Sequence, residues 1–279
     1  MSTPLNVKCL IFSKDRAAQL LLLLESLTLY CDDWKLFPIT VLYKVTTERD
    51  KEQYEIVQTT YPSVNFKLEQ DLRTDFYDVL KGTEYILFFT DDSIATQSFS
   101  VEGCCDLLHE KNDALGFSLR LGTNIFYCYP YRCVQKVPRL TKLENDVLEF
   151  DWSRAEYDFA YPLEVSSSIF RTSDILASLD SCHCNFSTVN HIESFMAVRI
   201  HMFIKDKPNL LCYDTSRAFA NPLNIVTSAV GNRFSTKSRY EASCLSDSFE
   251  KGYKIDISPF LNFVPIGCHQ EVDILWVER

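Results

Sequence analysis

The residues in this chain best suited to chemistry are Thr90-Asp91-Asp92-Ser93, which follow the apolar run Tyr85-Ile86-Leu87-Phe88-Phe89. Adjacent carboxylates can share a hard divalent cation such as Mg²⁺ or Mn²⁺ with a substrate's phosphates. The apolar run reads as a strand buried on both faces, in the middle of a parallel sheet. Open α/β sheets bind ligands just outside the carboxyl edge of such strands, where the acidic pair falls. Asp-Asp-Ser is also ordinary turn and N-cap chemistry before a helix, so the local residues leave two readings open. The seven glycines are spaced for neither a dinucleotide fingerprint nor a P-loop. A nucleotide would therefore be held without a glycine cradle, with a metal bridging its phosphates as the substitute. Cys182-His183-Cys184 would need two further ligands to make a zinc site. The eleven cysteines are odd in number and irregular in spacing, and read as reduced, mostly buried thiols.

The elements that must carry the acidic pair alternate regularly. Residues 7–12 predict a first strand, running into Ser13-Lys14-Asp15-Arg16, with Ser13 as cap and Asp15 favouring the positive helix end. Residues 17–29 predict a helix, 37–45 a strand, 48–60 a helix, 64–68 a strand, 72–81 a helix closed by Gly82, and 85–89 the fourth strand. This alternation predicts an α/β chain with a parallel sheet and right-handed crossovers. Beyond Asp92 the pattern loosens. A helix over 101–111, extended stretches over 115–119 and 163–171, a helix capped by Ser173, and another opened by Asn190 and running to about Ile204 are expected. The polar stretch 227–248 reads as a mobile lid, with Arg233, Lys237 and Arg239 at its centre. A helix near 244–252 and a strand near 263–266 lead to Cys268-His269-Gln270-Glu271.

At 279 residues and 46% hydrophobic, the chain can bury a large core as a single domain, 1–279. A net charge of −10 argues against nucleic acid as a partner, since phosphate backbones need a cationic face. The longest aliphatic run, Leu20 to Leu24, stops at Glu25, far short of the ~20 residues that span a bilayer. With no signal-peptide pattern at Met1 to Asn6, the expectation is a cytoplasmic chain without a transmembrane segment, for which peripheral membrane contact stays open.

A βαβα half without a glycine fingerprint, a fourth strand ending in an acidic pair and an irregular second half together resemble a GT-A-fold glycosyltransferase of the family-2-like kind. The resemblance implies a Rossmann-like, mixed and mainly parallel sheet flanked by helices. A nucleotide-sugar-binding half would span 1–115, and an acceptor-binding half 116–279. Phe88-Phe89-Thr90-Asp91-Asp92 is similar to a degenerate D-x-D signature, with Thr90 in place of the first Asp. It implies that Asp92 binds the metal and that Asp91 contacts the donor and takes part in catalysis. Ser13, Asp15 and Arg16 resemble the strand-end loop that contacts the nucleotide, joined by Lys44 after the second strand. Asn190-His191-Ile192-Glu193 resembles the region carrying the catalytic carboxylate of inverting enzymes, with Ser194 replacing a second acid. Cys268-His269-Gln270-Glu271 is similar to a late histidine that completes metal coordination.

The implied chemistry is metal-dependent transfer of a sugar from a nucleotide-diphosphate donor to a sugar or glycan acceptor, with inversion, in surface glycan or glycoconjugate assembly. A Mn²⁺ or Mg²⁺ ion held by Asp92 and His269 would stabilise the leaving diphosphate. Glu193 would take the acceptor's proton, unless Asn190-x-x-Glu193 is a capping box. His269 reads either as that ligand or as a surface histidine. Arg233, Lys237 and Arg239 either close over the diphosphate or are a solvated basic loop. Tyr127, Tyr129, Tyr131 and Trp152 are either a sugar platform or core, and Ser166 to Ser168 offer hydroxyls to a sugar or form a sheet edge. Two rivals stand beside this reading: a nucleotidyltransferase, whose glycine-rich basic loop is missing, and a non-catalytic sugar- or protein-binding module on a decayed transferase scaffold.

Overall fold

The computed structural model describes residues 6–180, 186–226 and 233–279. Cys182-His183-Cys184 and the first part of the polar stretch, 227–232, lie outside them. Strands β1 (Val7–Lys14), β2 (Ile39–Lys44), β3 (Asn65–Leu68) and β4 (Tyr85–Thr90) alternate with helices α1 (Ala17–Tyr30), α2 (Glu48–Thr60) and α3 (Leu72–Leu80). These four strands pair in parallel, β1 lying between β2 and β4. Local chemistry sets the helix starts. The Thr47 hydroxyl and the Asp50 carboxylate form a reciprocal capping box on α2, and the Asp71 side chain caps α3.

Then follow β5 (Ser93–Ala95), α4 (Val101–Glu110), β6 (Ala114–Ser118) and a short hairpin of β7 (Tyr127–Cys128) and β8 (Cys133–Val134). Next come β9 (Thr141–Lys142), β10 (Val147–Asp151), β11 (Ser167–Arg171), α5 (Thr172–Asp180), α6 (Val189–Arg199), β12 (Asn209–Tyr213) and β13 (Ala218–Ala220). Helix α7 (Ala242–Glu250) and the pair β14 (Tyr253–Ile255) and β15 (Trp276–Glu278) complete the order. The main sheet runs β3-β2-β1-β4-β11-β6-β12-β10-β9. Only β11 and β10 run against the rest, so the α/β architecture with a mixed, mostly parallel sheet is as expected.

The leucine run sits in α1, and Leu20 to Leu24 are all buried. A helix apolar all round must be covered on every side. Here the sheet covers one side, while β5, α7 and β14 pack on the others. That cover folds the late chain back over the acidic turn.

Several local expectations are corrected. Ser13 does not cap α1: it is part of β1, and Arg16 occupies the N-cap without a side-chain hydrogen bond. Helix α5 starts at Thr172, which places Ser173 inside it. Helix α6 starts at Val189 and is capped by Thr188, whose hydroxyl accepts from the His191 N–H, so Asn190 opens nothing. Residues 263–266 form no strand; β15 is the late strand, antiparallel to β14. In the described part of the polar stretch, Ser235 and Tyr240 are buried and α7 begins at Ala242. The nine described cysteines are free thiols. Among the described residues, no helix is long and apolar enough to cross a membrane.

At the sheet centre, a Cβ on Gly116 would lie 2.6 Å from the buried Phe170 ring and 3.0 Å from the Ile169 carbonyl oxygen. Gly116→Ala is expected to lower stability by about 1–3 kcal/mol through overpacking, read as a lower urea midpoint at unchanged slope.

Candidate functional site

A cleft of about 1000 Å³ opens at the carboxyl ends of β1, β2 and β4, the large end of the range that holds small-molecule ligands. Residues of the β7–β8 hairpin, the start of α6, the stretch after β13 and His269 complete its walls. Thr90, Asp91 and Asp92 border it, as do Ser13, Arg16, Lys44, Glu193 and Arg233.

Asp91 is 4% exposed, and both its oxygens are engaged within the protein. Oδ1 pairs with the Arg16 guanidinium at 2.9 Å, and Oδ2 accepts from the Ser13 hydroxyl at 2.9 Å and the Lys14 N–H at 3.0 Å. Arg16 Nε donates to Asn224 Oδ1 at 2.8 Å, and Asn224 in turn donates to the Tyr240 carbonyl. Ser13 also bonds the buried Tyr54 hydroxyl, and the Tyr54 ring stacks on Tyr43. Asp91 borders the cleft, and its carboxylate holds the ends of β1 and β4 and the loop after β13 together. Asp15 is not part of the cleft lining; its carboxylate accepts from the Thr46 N–H at 2.7 Å and the Thr46 hydroxyl at 2.6 Å. Its φ of 52° turns it that way.

Asp92 faces the cleft. The Thr90 hydroxyl donates to its Oδ1 at 2.7 Å, so the residue that departs from the D-x-D pattern orients the acid that remains. Arg16 lies 3.7 Å from its Oδ2. His269 reaches this region through a backbone strap. Strand β13 pairs with β5, directly after Asp92, and the Asn221 N–H donates to the Asp92 carbonyl at 2.8 Å. On the other side of β13, Ala220 N–H donates to the Cys268 carbonyl and Gln270 N–H to the Ala220 carbonyl. Gly267 permits the approach, since a Cβ there would sit 2.6 Å from the Tyr127 carbonyl oxygen. His269 Nδ1 is buried without a hydrogen-bond partner. Burial, aided by the nearby positive charge of Arg120, pushes the imidazole below its usual pKa and keeps it neutral. A neutral ring with an unused nitrogen beside a carboxylate suits a divalent ion. Among the described residues, no group of three or more His, Cys, Asp or Glu gathers as a metal site. Asp92 and His269 thus fit a cation completed by phosphate oxygens and water, not one caged by protein.

Glu193 sits one turn into α6, half-buried at the cleft wall. The capping-box alternative fails, because Thr188 is the cap and Glu193 Oε1 accepts instead from the Val165 N–H at 3.0 Å. Burial pushes its carboxyl up to about 7, against the opposing pull of the Val165 hydrogen bond. Behind it lies a buried ion pair that the sequence reading missed. Arg120 Nε is 3.7 Å from Glu164 Oε1, and both side chains are almost fully buried. Burial alone would raise Glu164, but Arg120 and the hydroxyls of Ser166 and Ser168 outweigh it and hold the acid ionised. Those two serines are therefore engaged by Glu164 and are not offered to a sugar. A signal existed: Arg120 interrupts the apolar run Leu115 to Leu121, and a charge inside such a run is buried only when paired.

The other expected cations divide. Lys44 borders the cleft and pairs with Glu69 at 3.0 Å. Arg233 borders it as well, its guanidinium 3.8 Å over the Tyr129 ring and 2.9 Å from the Tyr129 carbonyl oxygen. Lys237 and Arg239 do not take part; both pair with Asp273 outside the cleft. Trp152 is core, with its indole N–H on the Lys207 carbonyl at 2.8 Å.

No family model matches the chain. Over 248 residues it is 26% identical to the bifunctional glycosyltransferase pgtA of Dictyostelium discoideum, covering 80% of this chain and 32% of that protein. The chain thus spans about a third of the length of the curated relative it matches. Among solved structures it is similar to S. aureus TarS 1-349 in complex with UDP, with a TM-score of 0.49 and 14% identity over 78% of this chain and 61% of that one. A mannosyltransferase from Pyrobaculum calidifontis, in complex with GDP-Man and Mn²⁺, gives a TM-score of 0.40 and 11% identity over 64% of this chain and 47% of that one. The resemblance to glycosyltransferases is matched by the sequence relative.

Removing the Asp91 carboxylate would leave Arg16 charged and nearly buried. Asp91→Ala is expected to cost about 3–5 kcal/mol of stability, seen as a fall in melting temperature whether or not nucleotide is added. A variant that melts as wild type while losing activity would assign Asp91 a direct role in the chemistry.

Proposed function

We infer that this chain is a glycosyltransferase that moves a sugar from a nucleotide-diphosphate donor to an acceptor hydroxyl. The observation that carries the reading is one cleft holding a carboxylate with its pKa near neutrality, Glu193, together with the oriented pair Asp92 and His269. The likeness to a bifunctional glycosyltransferase over most of the chain supports it.

The donor's diphosphate lies at the strand-end side, beside Lys14, Arg16 and Lys44. Lys14 Nζ now holds the Val226 carbonyl at 2.9 Å and can exchange that bond for a phosphate oxygen. Asp92 and His269 would hold a divalent ion, Mn²⁺ suiting the nitrogen ligand better than Mg²⁺. The chemistry such an ion would supply is stabilisation of the charge that develops on the leaving diphosphate. Glu193 accepts the proton of the acceptor hydroxyl as its oxygen bonds to the anomeric carbon. The bond from that carbon to the diphosphate oxygen breaks, and its electron pair leaves with the diphosphate. A single base on the acceptor side fits one displacement, and hence inversion. Thr90 supports a working site over a decayed one, because its hydroxyl holds Asp92 in place.

The test is release of nucleoside diphosphate from a panel of nucleotide sugars, with Mn²⁺ and with excess EDTA. Asp92→Ala should abolish metal-dependent release and keep the wild-type melting temperature. Full activity in that variant, or in EDTA, would overturn the metal mechanism. No release and no thermal shift with any nucleotide would favour the binding module.

A base must be ionised to accept a proton, so Glu193 protonation below about pH 7 removes the activity. Turnover is expected to fall about tenfold per pH unit below that point and to level off above it. Glu193→Gln should cut kcat by about 10²- to 10⁴-fold and remove that limb of the profile, with nucleotide affinity kept. A profile flat from pH 5.5 to 8 would exclude Glu193 as the base.

A further inference from the structure

One wall of the cleft carries a feature that donor binding does not use. Tyr131, at the tip of the β7–β8 hairpin, is 71% exposed, and Tyr157 is 40% exposed. Both border the cleft. Their ring centroids are 5.4 Å apart with planes tilted by 52°. The backbone is forced at both places, with φ of 56° at Arg132 and 50° at Tyr157. Non-glycine residues are held in that region only where the surrounding structure requires it, and such residues cluster at ligand sites. Burial does not account for these rings, since both remain in water.

The wall leads to the proposed base. Tyr161 and Glu193 border the same cleft as Tyr131 and Tyr157. The cations bordering this part are already engaged. Arg120 faces Glu164, and Arg233 lies on the Tyr129 ring and its carbonyl. Tyr129 itself is bonded to Glu271, and Asp158 to Gln135. Arg132 is exposed but stands outside the cleft lining. An anionic group entering here would have to displace the partners that Arg120 and Arg233 already have, and would lie beside the Asp158 and Glu193 carboxylates. A ligand with a flat, weakly polar face and neutral hydroxyls meets aromatic rings and a hydrogen-bond acceptor.

We propose that Tyr131 and Tyr157 form the acceptor subsite, an open aromatic platform for one face of a neutral pyranose ring whose hydroxyl is presented to Glu193. The proposal rests on the glycosyltransferase reading for its direction, while the binding it describes can be measured without turnover. Stacking provides orientation at low cost in specificity, because the pyranose face is shared by many sugars. Selection among them falls to the hydroxyls that reach Glu193 and Tyr161.

The experiment is saturation-transfer NMR on the full chain without donor. The probes are methyl glycosides of neutral hexoses and N-acetylhexosamines, their 6-phosphates, UDP and GDP. Ring protons of neutral glycosides are expected to receive saturation, and to lose it in Tyr131→Ala and Tyr157→Ala. Tyr131→Phe and Tyr157→Phe should keep it, because stacking needs the ring and not the hydroxyl. Nucleotide signals should be equal in all variants. In turnover with saturating donor, each alanine variant should raise the acceptor KM by up to about tenfold, with slow donor hydrolysis to water retained. No saturation of any neutral glycoside overturns the proposal, as does unchanged binding in both alanine variants. Preference for the phosphorylated glycosides would assign the wall to an anionic acceptor, and loss of nucleotide signals in the alanine variants would assign it to the donor's base; both overturn it. If no nucleotide sugar is consumed at all, the activity reading fails, yet the glycoside titration still decides whether the platform exists.

Discussion

The ion pair between Arg16 and Asp91, 2.9 Å apart and nearly excluded from water, is what the cleft is built around. A buried pair of this kind seldom contributes much net stability over an apolar equivalent, but each partner becomes a liability without the other. Its effect is one of arrangement. Asp91 spends its oxygens on Arg16, the Ser13 hydroxyl and the Lys14 N–H, which fixes the strand-end loop against β4. Arg16 spends its remaining donors on Asn224, which fixes the loop after β13. Asp92, one residue on, is left as the acid that faces outward, and the strap through Asn221 and Ala220 then sets His269 in the same region.

Charge in the cleft differs from charge over the chain as a whole. Net charge is −10, yet the cleft lining carries Lys14, Arg16, Lys44, Arg120 and Arg233 against Glu69, Asp91, Asp92, Asp158 and Glu193. Charge is therefore balanced locally while the rest of the surface stays acidic. The cations are held by partners of differing strength. Arg120 is locked to Glu164 in the interior, whereas Lys14 holds a backbone carbonyl and Lys44 an exposed carboxylate contact. The weakly held Lys14 and Lys44 lie at the strand ends, Arg16 is locked to Asp91 beside them, and Arg120 lies behind the proposed base.

Much of the first half was legible because its determinants are local. The alternation of apolar runs with helical stretches placed β1 to β4 within a residue or two, and Asp71 and the Thr47–Asp50 box punctuate the helices in the usual way. Misreadings arose where tertiary contacts overrule local chemistry. Ser13 has the composition of a cap but is drawn into the Asp91 network. Asn190-x-x-Glu193 has the spacing of a capping box, yet Thr188 is two residues earlier and takes the cap, which frees Glu193 to meet Val165. In 233–248 the few apolar residues include two buried ones, Leu245 and Tyr240, the latter held by Asn224 and Asp273. The strap that brings His269 to Asp92 consists of backbone hydrogen bonds, which carry no side-chain signature at all. Arg120 and Glu164 left a faint one, as charges inside apolar surroundings.

The strap has a consequence for how the protein comes into being. The cleft draws on Ser13 near one end of the numbering and on His269 near the other, joined by pairings of long sequence separation. Contacts of that kind form late, because the chain between them must first surrender its freedom. On a ribosome, β1 to β4 and their helices can assemble while the residues that cover α1 are still unmade, leaving the face of the leucine run open to water. A complete cleft thus marks a chain whose late residues have docked, and a partly made one has an exposed apolar helix in its place.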